Sequence, residues 1–294
     1  VLKKIARVRN ITFAFDGAVV AFSGGVDSTL LLKIAVDILG ARVVAATIDS
    51  PLAVPGEADR AKRLAALLGV RHVIVPGKAL SDPEFLQNPP ERCYLCKRHV
   101  YRATGEIARE MGVEAVLDGA NADDTGDFRP GLRAAREMGV RSPLLEAGLT
   151  KEEVRRLARE LGLPNWNQPA QPCLATRIPY GELITGEKLQ QIARAEEFLA
   201  KRGFSPVRVR HHGPVARLEL PPGQIGRLND PSLREELDQA LKRLGFLYVS
   251  VDLAGLRSGS LNDLLAYRTK EPEAPEETRG GAGKKWTSKG LKTC

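Results

Sequence analysis

Residues 18–28 read Ala18-Val19-Val20-Ala21-Phe22-Ser23-Gly24-Gly25-Val26-Asp27-Ser28. An apolar strand runs into a glycine turn, and the apolar spacing from Thr29 to Leu39 behind it suits a buried helix. In a strand-loop-helix unit of this kind, successive backbone N–H groups and the helix N-terminus form an anion-binding nest. Glycines let the backbone approach a phosphate closely. The loop is not a Walker A motif, whose lysine has no counterpart here, and the dinucleotide pattern G-x-G-x-x-G is missing too. The bland alternative is a turn that merely closes an α/β unit; the flanking strand, the aspartate and the two serines argue against it. Ser23, Gly24, Gly25, Asp27 and Ser28 are therefore the first candidate phosphate-binding residues.

Outward from this loop, strands are expected at 42–48, 72–75 and 115–117, alternating with helices at 58–68 and 100–111. Such alternation predicts right-handed crossovers and a doubly wound parallel sheet. Thr150 and Glu153 form a capping box that opens a helix over 151–161. Residues 163–177 read as a loop rich in Pro and Asn. Beyond it come a helix at 187–201, strands at 206–210 and 216–220, a helix at 234–244 and a strand at 246–253, the pattern of a small α+β domain. From residue 270, Pro, Glu, Gly and Lys dominate, which is the composition of a disordered tail. The expected division is 1–165, 166–269 and 270–294, with no internal repeat.

The chain has 294 residues, 43% hydrophobic and 27% charged, so it can bury a sizeable core and is not disordered throughout. No run approaches the ~18–20 apolar residues of a membrane span, and Val1-Leu2-Lys3-Lys4 is not followed by a signal-peptide core. A soluble cytoplasmic protein without a membrane partner is expected. A net charge of +8 favours an anionic partner, yet aromatics are only 5%, which leaves few stacking platforms for nucleic acid. A nucleotide fits equally well. Four cysteines in a reducing compartment point to metal binding or thiol chemistry rather than disulfides. Cys93 and Cys96 form a C-x-x-C, and Cys173 follows after 76 intervening residues. Structural zinc completed by His99 or Cys294, or a redox dithiol, are alternatives that the spacing alone leaves open. Cys294, in the expected tail, reads as incidental.

Ser23–Ser28 resembles the pyrophosphate loop of the N-type ATP pyrophosphatases, the superfamily of NAD synthetase, GMP synthetase and tRNA thiolation enzymes. That resemblance implies cleavage of ATP between the α and β phosphates, with Thr47 and Asp49, at the end of the second strand, contacting the nucleotide. A carboxylate such as Asp27 repels phosphate unless a cation intervenes, so Mg²⁺ is implied. Taken with R-C-Y-L-C-K at Arg92, G-A-N-A-D-D-T-G-D-F-R-P-G at Gly119, P-C-L-A-T-R-I-P-Y-G at Pro172 and R-S-G-S-L-N at Arg257, the loop resembles the LarE family over roughly residues 10–268. These are the ATP-dependent sulfur transferases that make the nickel-pincer nucleotide cofactor.

The family implies adenylylation of a carboxylate on a pyridinium mononucleotide, displacement of AMP by a cysteine-linked sulfur, and release of a thiocarboxylate. In these terms Cys173 is the sulfur-handling residue, catalytic together with Asp27, and some members sacrifice it as dehydroalanine. In others, three thiolates such as Cys93, Cys96 and Cys173 hold a 4Fe-4S cluster whose fourth iron carries sulfide. Asp123 and Asp127 become candidate Mg²⁺ ligands, although acidic loops are most often merely solvated. Arg208 and Arg210 alternate onto one strand face as a clamp for substrate phosphate, with Arg177, Arg217 and Arg257 as further candidates. His211 and His212 read as surface residues without a role. Sulfide or another sulfur donor and a homo-oligomer, a hexamer in family members, complete the expectation. A tRNA thiolation enzyme and an iron-sulfur or zinc nucleotide sensor are the competing readings.

Overall fold

A computed structural model describes residues 1–125, 130–257 and 259–263. Asp127, Arg129, Ser258 and the tail from 270, with Cys294, lie outside the described residues. In chain order the elements are α1 (Leu2–Phe13), β1 (Ala18–Ala21), α2 (Val26–Leu39), β2 (Val43–Asp49), α3 (Glu57–Leu67), β3 (Arg71–Pro76), α4 (Pro83–Leu86), α5 (Arg92–Glu110) and β4 (Ala115–Leu117). The second half holds α6 (Pro130–Glu137), α7 (Pro143–Glu146), α8 (Lys151–Glu160), α9 (Gly186–Lys201), β5 (Arg208–His212), β6 (Val215–Glu219), α10 (Pro222–Ile225), α11 (Pro231–Arg243) and β7 (Tyr248–Val251).

The first four strands pair in parallel in the order β3-β2-β1-β4, with Ala18–Ala21 against Val43–Ala46 and Ala18–Val20 against Ala115–Leu117. Ala18, Val19 and Val20 are fully buried, as a central strand covered on both faces requires. One face packs on α2, α8 and Val8 of α1; the other packs on α5 and α6. The α/β class is as expected, and the order reverses beside β1, so its C-terminal end is the ligand-binding crevice of an open α/β sheet.

A second sheet has the order β5-β6-β7, with β5 and β6 antiparallel and β6 and β7 parallel. Its own core is built from Phe204, Val209, Leu218, Leu241 and Phe246. The chain divides between Ser258 and Gly259, and both sheets lie in the first unit. Among the described residues no helix is long and apolar enough to cross a membrane.

Candidate active site

The phosphate loop is held open by backbone geometry and one distant amide. Gly24 has φ +69°, and a Cβ there would stand 3.2 Å from the Ala61 backbone. Both facts require glycine. Asn165, buried in the expected loop 163–177, donates its amide to Gly24 O (3.1 Å) and Thr29 Oγ1 (2.9 Å). The Ser28 and Thr29 hydroxyls turn back onto Gly25 O, at 3.1 and 2.8 Å. Gly25 caps α2 without a side-chain bond, which leaves the first N–H groups of the helix free of side-chain caps.

A cavity of about 760 Å³ opens from this loop. Ser23, Gly25, Asp27, Ser28, Thr47, Asp123 and Cys93 all line it. Thr47 has its hydroxyl engaged, donating to Phe22 O at 2.6 Å and lying 2.7 Å from His72 Nε2. Asp49 is exposed at the end of β2. Asp27 faces the N-terminus of α8: Lys151 Nζ pairs with its Oδ2, and the Asn121 amide donates to Oδ1 at 3.2 Å. Asp123 accepts the Lys151 backbone N–H at 2.9 Å.

Lys97, Lys151 and Glu57, which the motif reading did not single out, line the cavity together with Asp118. Lys97 stands beside the ring of Tyr101 (5.1 Å). Burial pulls the Lys97 pKa down, but Tyr101, Asp118 and Cys96 outweigh it and the net shift is upward. Asp118 accepts from the Tyr101 hydroxyl and from Ser142 Oγ (2.6 Å). Burial raises the Glu57 pKa against the opposing effect of Arg60. Lys151 was legible only as the residue after a capping threonine.

Cys93 lines the cavity. Cys93 and Cys96 lie one helical turn apart at the start of α5, and Cys96 and Cys173 pack against the same apolar cluster. Burial, with Cys173 and Cys93 adding to it, pushes the Cys96 thiol up to about 12. Three thiols gathered in an apolar setting fit a soft metal or cluster better than Mg²⁺. Among the described residues no group of three His, Cys, Asp or Glu is already set to hold a metal ion, so the thiols converge without forming a ligand set.

The arginines cluster around carboxylates. Arg177, 3% exposed, forms a bidentate pair with Glu196 (2.8 and 3.0 Å). Arg210, 2% exposed, does the same with Glu219 (2.9 and 2.8 Å), beside its register partner Arg217. Arg217 also meets Asp252, and Arg257 lies 3.9 Å from that carboxylate. Arg208 donates to Arg257 O (3.3 Å), and burial together with Arg210 and Arg177 lowers its pKa. The charges of Arg177 and Arg210 are thus matched within the protein, while Arg217 and Arg257 keep exposed surface. His211 is buried, not superficial as its sequence suggested.

A parallel sheet, a glycine loop at the switch beside β1 and a nucleotide-sized cavity define a PP-loop ATP pyrophosphatase. The chain matches the asparagine synthase family over residues 8–169. It is 44% identical over 247 residues to a pyridinium-3,5-bisthiocarboxylic acid mononucleotide synthase of Lactiplantibacillus plantarum, covering 84% of this chain and 89% of that one. An uncharacterised Synechocystis protein is 45% identical across 89% of this chain and 98% of its own length. A GMP synthase of Aeropyrum pernix is 34% identical over 61% of this chain and 38% of its own. The chain belongs to the LarE family and is an ATP-dependent sulfur transferase.

Proposed function

We propose that this chain adenylylates a carboxylate of a pyridinium mononucleotide and converts it to a thiocarboxylate, in the biosynthesis of the nickel-pincer nucleotide. The observation that carries the reading is that Asp27 and Cys93 line one cavity. Activation by ATP and sulfur transfer can then occur without release of a hydrolysable acyl-adenylate.

In this reading the loop N–H groups of residues 23–28 and the α2 N-terminus take the pyrophosphate as it departs, while a substrate carboxylate oxygen attacks the α-phosphorus. Thr47 and Asp49 would border the nucleotide. Asp27 and Asp123, with Asp127, would supply hard oxygen ligands to a Mg²⁺ that arrives on ATP, and Lys151 would leave Asp27 for the phosphates. A sulfur nucleophile then attacks the acyl carbon, and AMP leaves with the carboxylate oxygen. That sulfur would come from Cys173 itself, leaving dehydroalanine, or from sulfide. Cys93, Cys96 and Cys173 would hold a 4Fe-4S cluster, which supplies exchangeable sulfide when bound. Arg208, Arg217 and Arg257 would be the arginines that meet the substrate phosphate. Residues 1–165 would form the ATP part and 166–269 the sulfur-transfer part, in a homo-oligomer within a reducing compartment such as the cytoplasm.

The test measures pyrophosphate release with a carboxylated pyridinium mononucleotide, with tRNA and with neither. Release and thiocarboxylate formation that depend on the mononucleotide support the reading. Release that depends on tRNA, or on no acceptor, would sink it.

A further inference from the structure

The Cys173 carbonyl is held by three donors: Thr176 N (3.0 Å), Thr176 Oγ1 (2.8 Å) and Arg177 NH1 (3.3 Å). The same Arg177 nitrogen donates to Pro172 O at 2.7 Å and to Thr176 Oγ1 at 2.9 Å. Arg177 Nε and Nη2 each donate to Glu196, which also accepts the Val209 N–H of β5 at 2.9 Å. Further along the turn, Thr176 O accepts from Arg210 Nη1, while Arg210 Nε and Nη2 each donate to Glu219. The turn is also tied to the β2–α3 connection, where Leu174 N donates to Leu52 O at 2.7 Å. Two nearly buried Arg–Glu pairs and one backbone bond therefore grip the four residues that carry Cys173 from α9, from the small sheet and from the side of the nucleotide sheet.

We propose that Arg177 and Arg210 are positioning residues for the Cys173 turn rather than ligands of substrate phosphate, with Glu196 and Glu219 aiming them. Only a planar five-donor group reaches a carboxylate and two carbonyls at once; a lysine in its place is a point charge. Both arginines are 3% exposed or less, so a phosphate could reach them only if the turn or the paired carboxylate gave way, which would leave that carboxylate buried without its partner. The inference rests on reading Cys173 as the sulfur-handling residue, and it differs from the clamp expectation in what a substitution should change.

The test compares the full-length wild type with R177K and T176V. Two quantities are followed: thiocarboxylate formation against mononucleotide concentration, and the rate at which iodoacetamide labels each cysteine of chelator-treated protein, read by peptide mass. In R177K, kcat should fall about tenfold or more while KM for the mononucleotide stays within about twofold, the signature of lost alignment and not of lost ground-state binding. Cys173 should label at least about threefold faster, with Cys93 unchanged, since loosening the turn exposes its thiol. T176V, which removes one hydroxyl with little change of shape, should move both quantities in the same direction by less. A raised KM with kcat retained would return Arg177 to the phosphate site and overturn the proposal, as would unchanged kcat and labelling. Should R177K fail to fold, T176V decides by the same criteria. A wild type that forms no thiocarboxylate would remove the functional reading, and the labelling comparison would still decide the role of the turn.

Discussion

Asp27 has one carboxylate, and Lys151 and Asn121 both hold it. Replacing it by Asn keeps the size and removes the charge that would bring in Mg²⁺. Asp27→Asn should lower ATP-dependent pyrophosphate release by about a hundredfold, a loss of roughly 2.7 kcal/mol from the barrier reduction. Wild-type turnover by the folded variant would take Asp27 out of the reaction. Cysteine chemistry offers a second measurement at this scale. With its thiol pushed up to about 12, Cys96 should label more slowly with iodoacetamide at pH 8 than Cys93 in chelator-treated protein. Equal rates would remove the burial argument. The loop residues and the three cysteines were legible because short-range patterns carry them. Lys97 and Lys151 were not, since their roles depend on helices docking across the sheet: Lys151 lies 124 positions from Asp27, and no local motif encodes that distance.

At the level of elements, β4 ends where α2 begins. A Cβ on Gly119 would stand 2.8 Å from Ser28 N and 3.1 Å from the Asp27 carbonyl carbon, so the end of β4 and the phosphate helix touch backbone to backbone. Gly119→Ala must push the two apart, at a cost of about 1–3 kcal/mol, which lowers Tm by roughly 3–10 °C in a chain of this size. Gly186→Ala, where a Cβ meets nothing within 4 Å, is the control and should leave Tm unchanged or slightly raised. Thermal denaturation of both variants, with and without MgATP, checks this: equal Tm values would show that the contact is slack. Strand positions were readable from apolar runs because both faces of the first sheet are covered. Helix starts were harder to read. The expected 100–111 helix begins at Arg92, so the C-x-x-C is helical, and the expected 234–244 helix begins at Pro231 behind an Asp230 cap. Proline reads as a breaker until its place in the first turn of a helix is known. Helices α1 and α6 went unread, because Lys, Arg and Ala dilute their apolar stripe.

Across the whole molecule, both sheets carry imidazoles whose pKa is lowered by burial. Burial, and then Lys62, lowers the pKa of His72 on β3. Burial comes first for His211 and His212 on β5 as well, with Lys188 beside the one and Arg217 beside the other. His211 Nδ1 and His212 Nε2 are buried without hydrogen-bond partners, so a proton added there would bring an unpaired charge into the interior. Each ring binds protons more readily in the unfolded chain than in the folded one. Their contribution to stability is therefore fully present above the unfolded value near 6.5 and is lost as pH falls through the lower folded values. Glu57 works in the opposite sense, since burial raises its pKa, but it is one group against three imidazoles. The Tm should hold nearly level above about pH 7 and fall between about pH 6.5 and 5.5, above the range where ordinary carboxylates titrate. Replacing His211 and His212 together by Gln should flatten that slope even if the absolute Tm drops, because Gln has no proton to gain. A wild-type Tm that is level or rises on acidification, or a double variant with the same slope, would show that these imidazoles do not couple folding to pH.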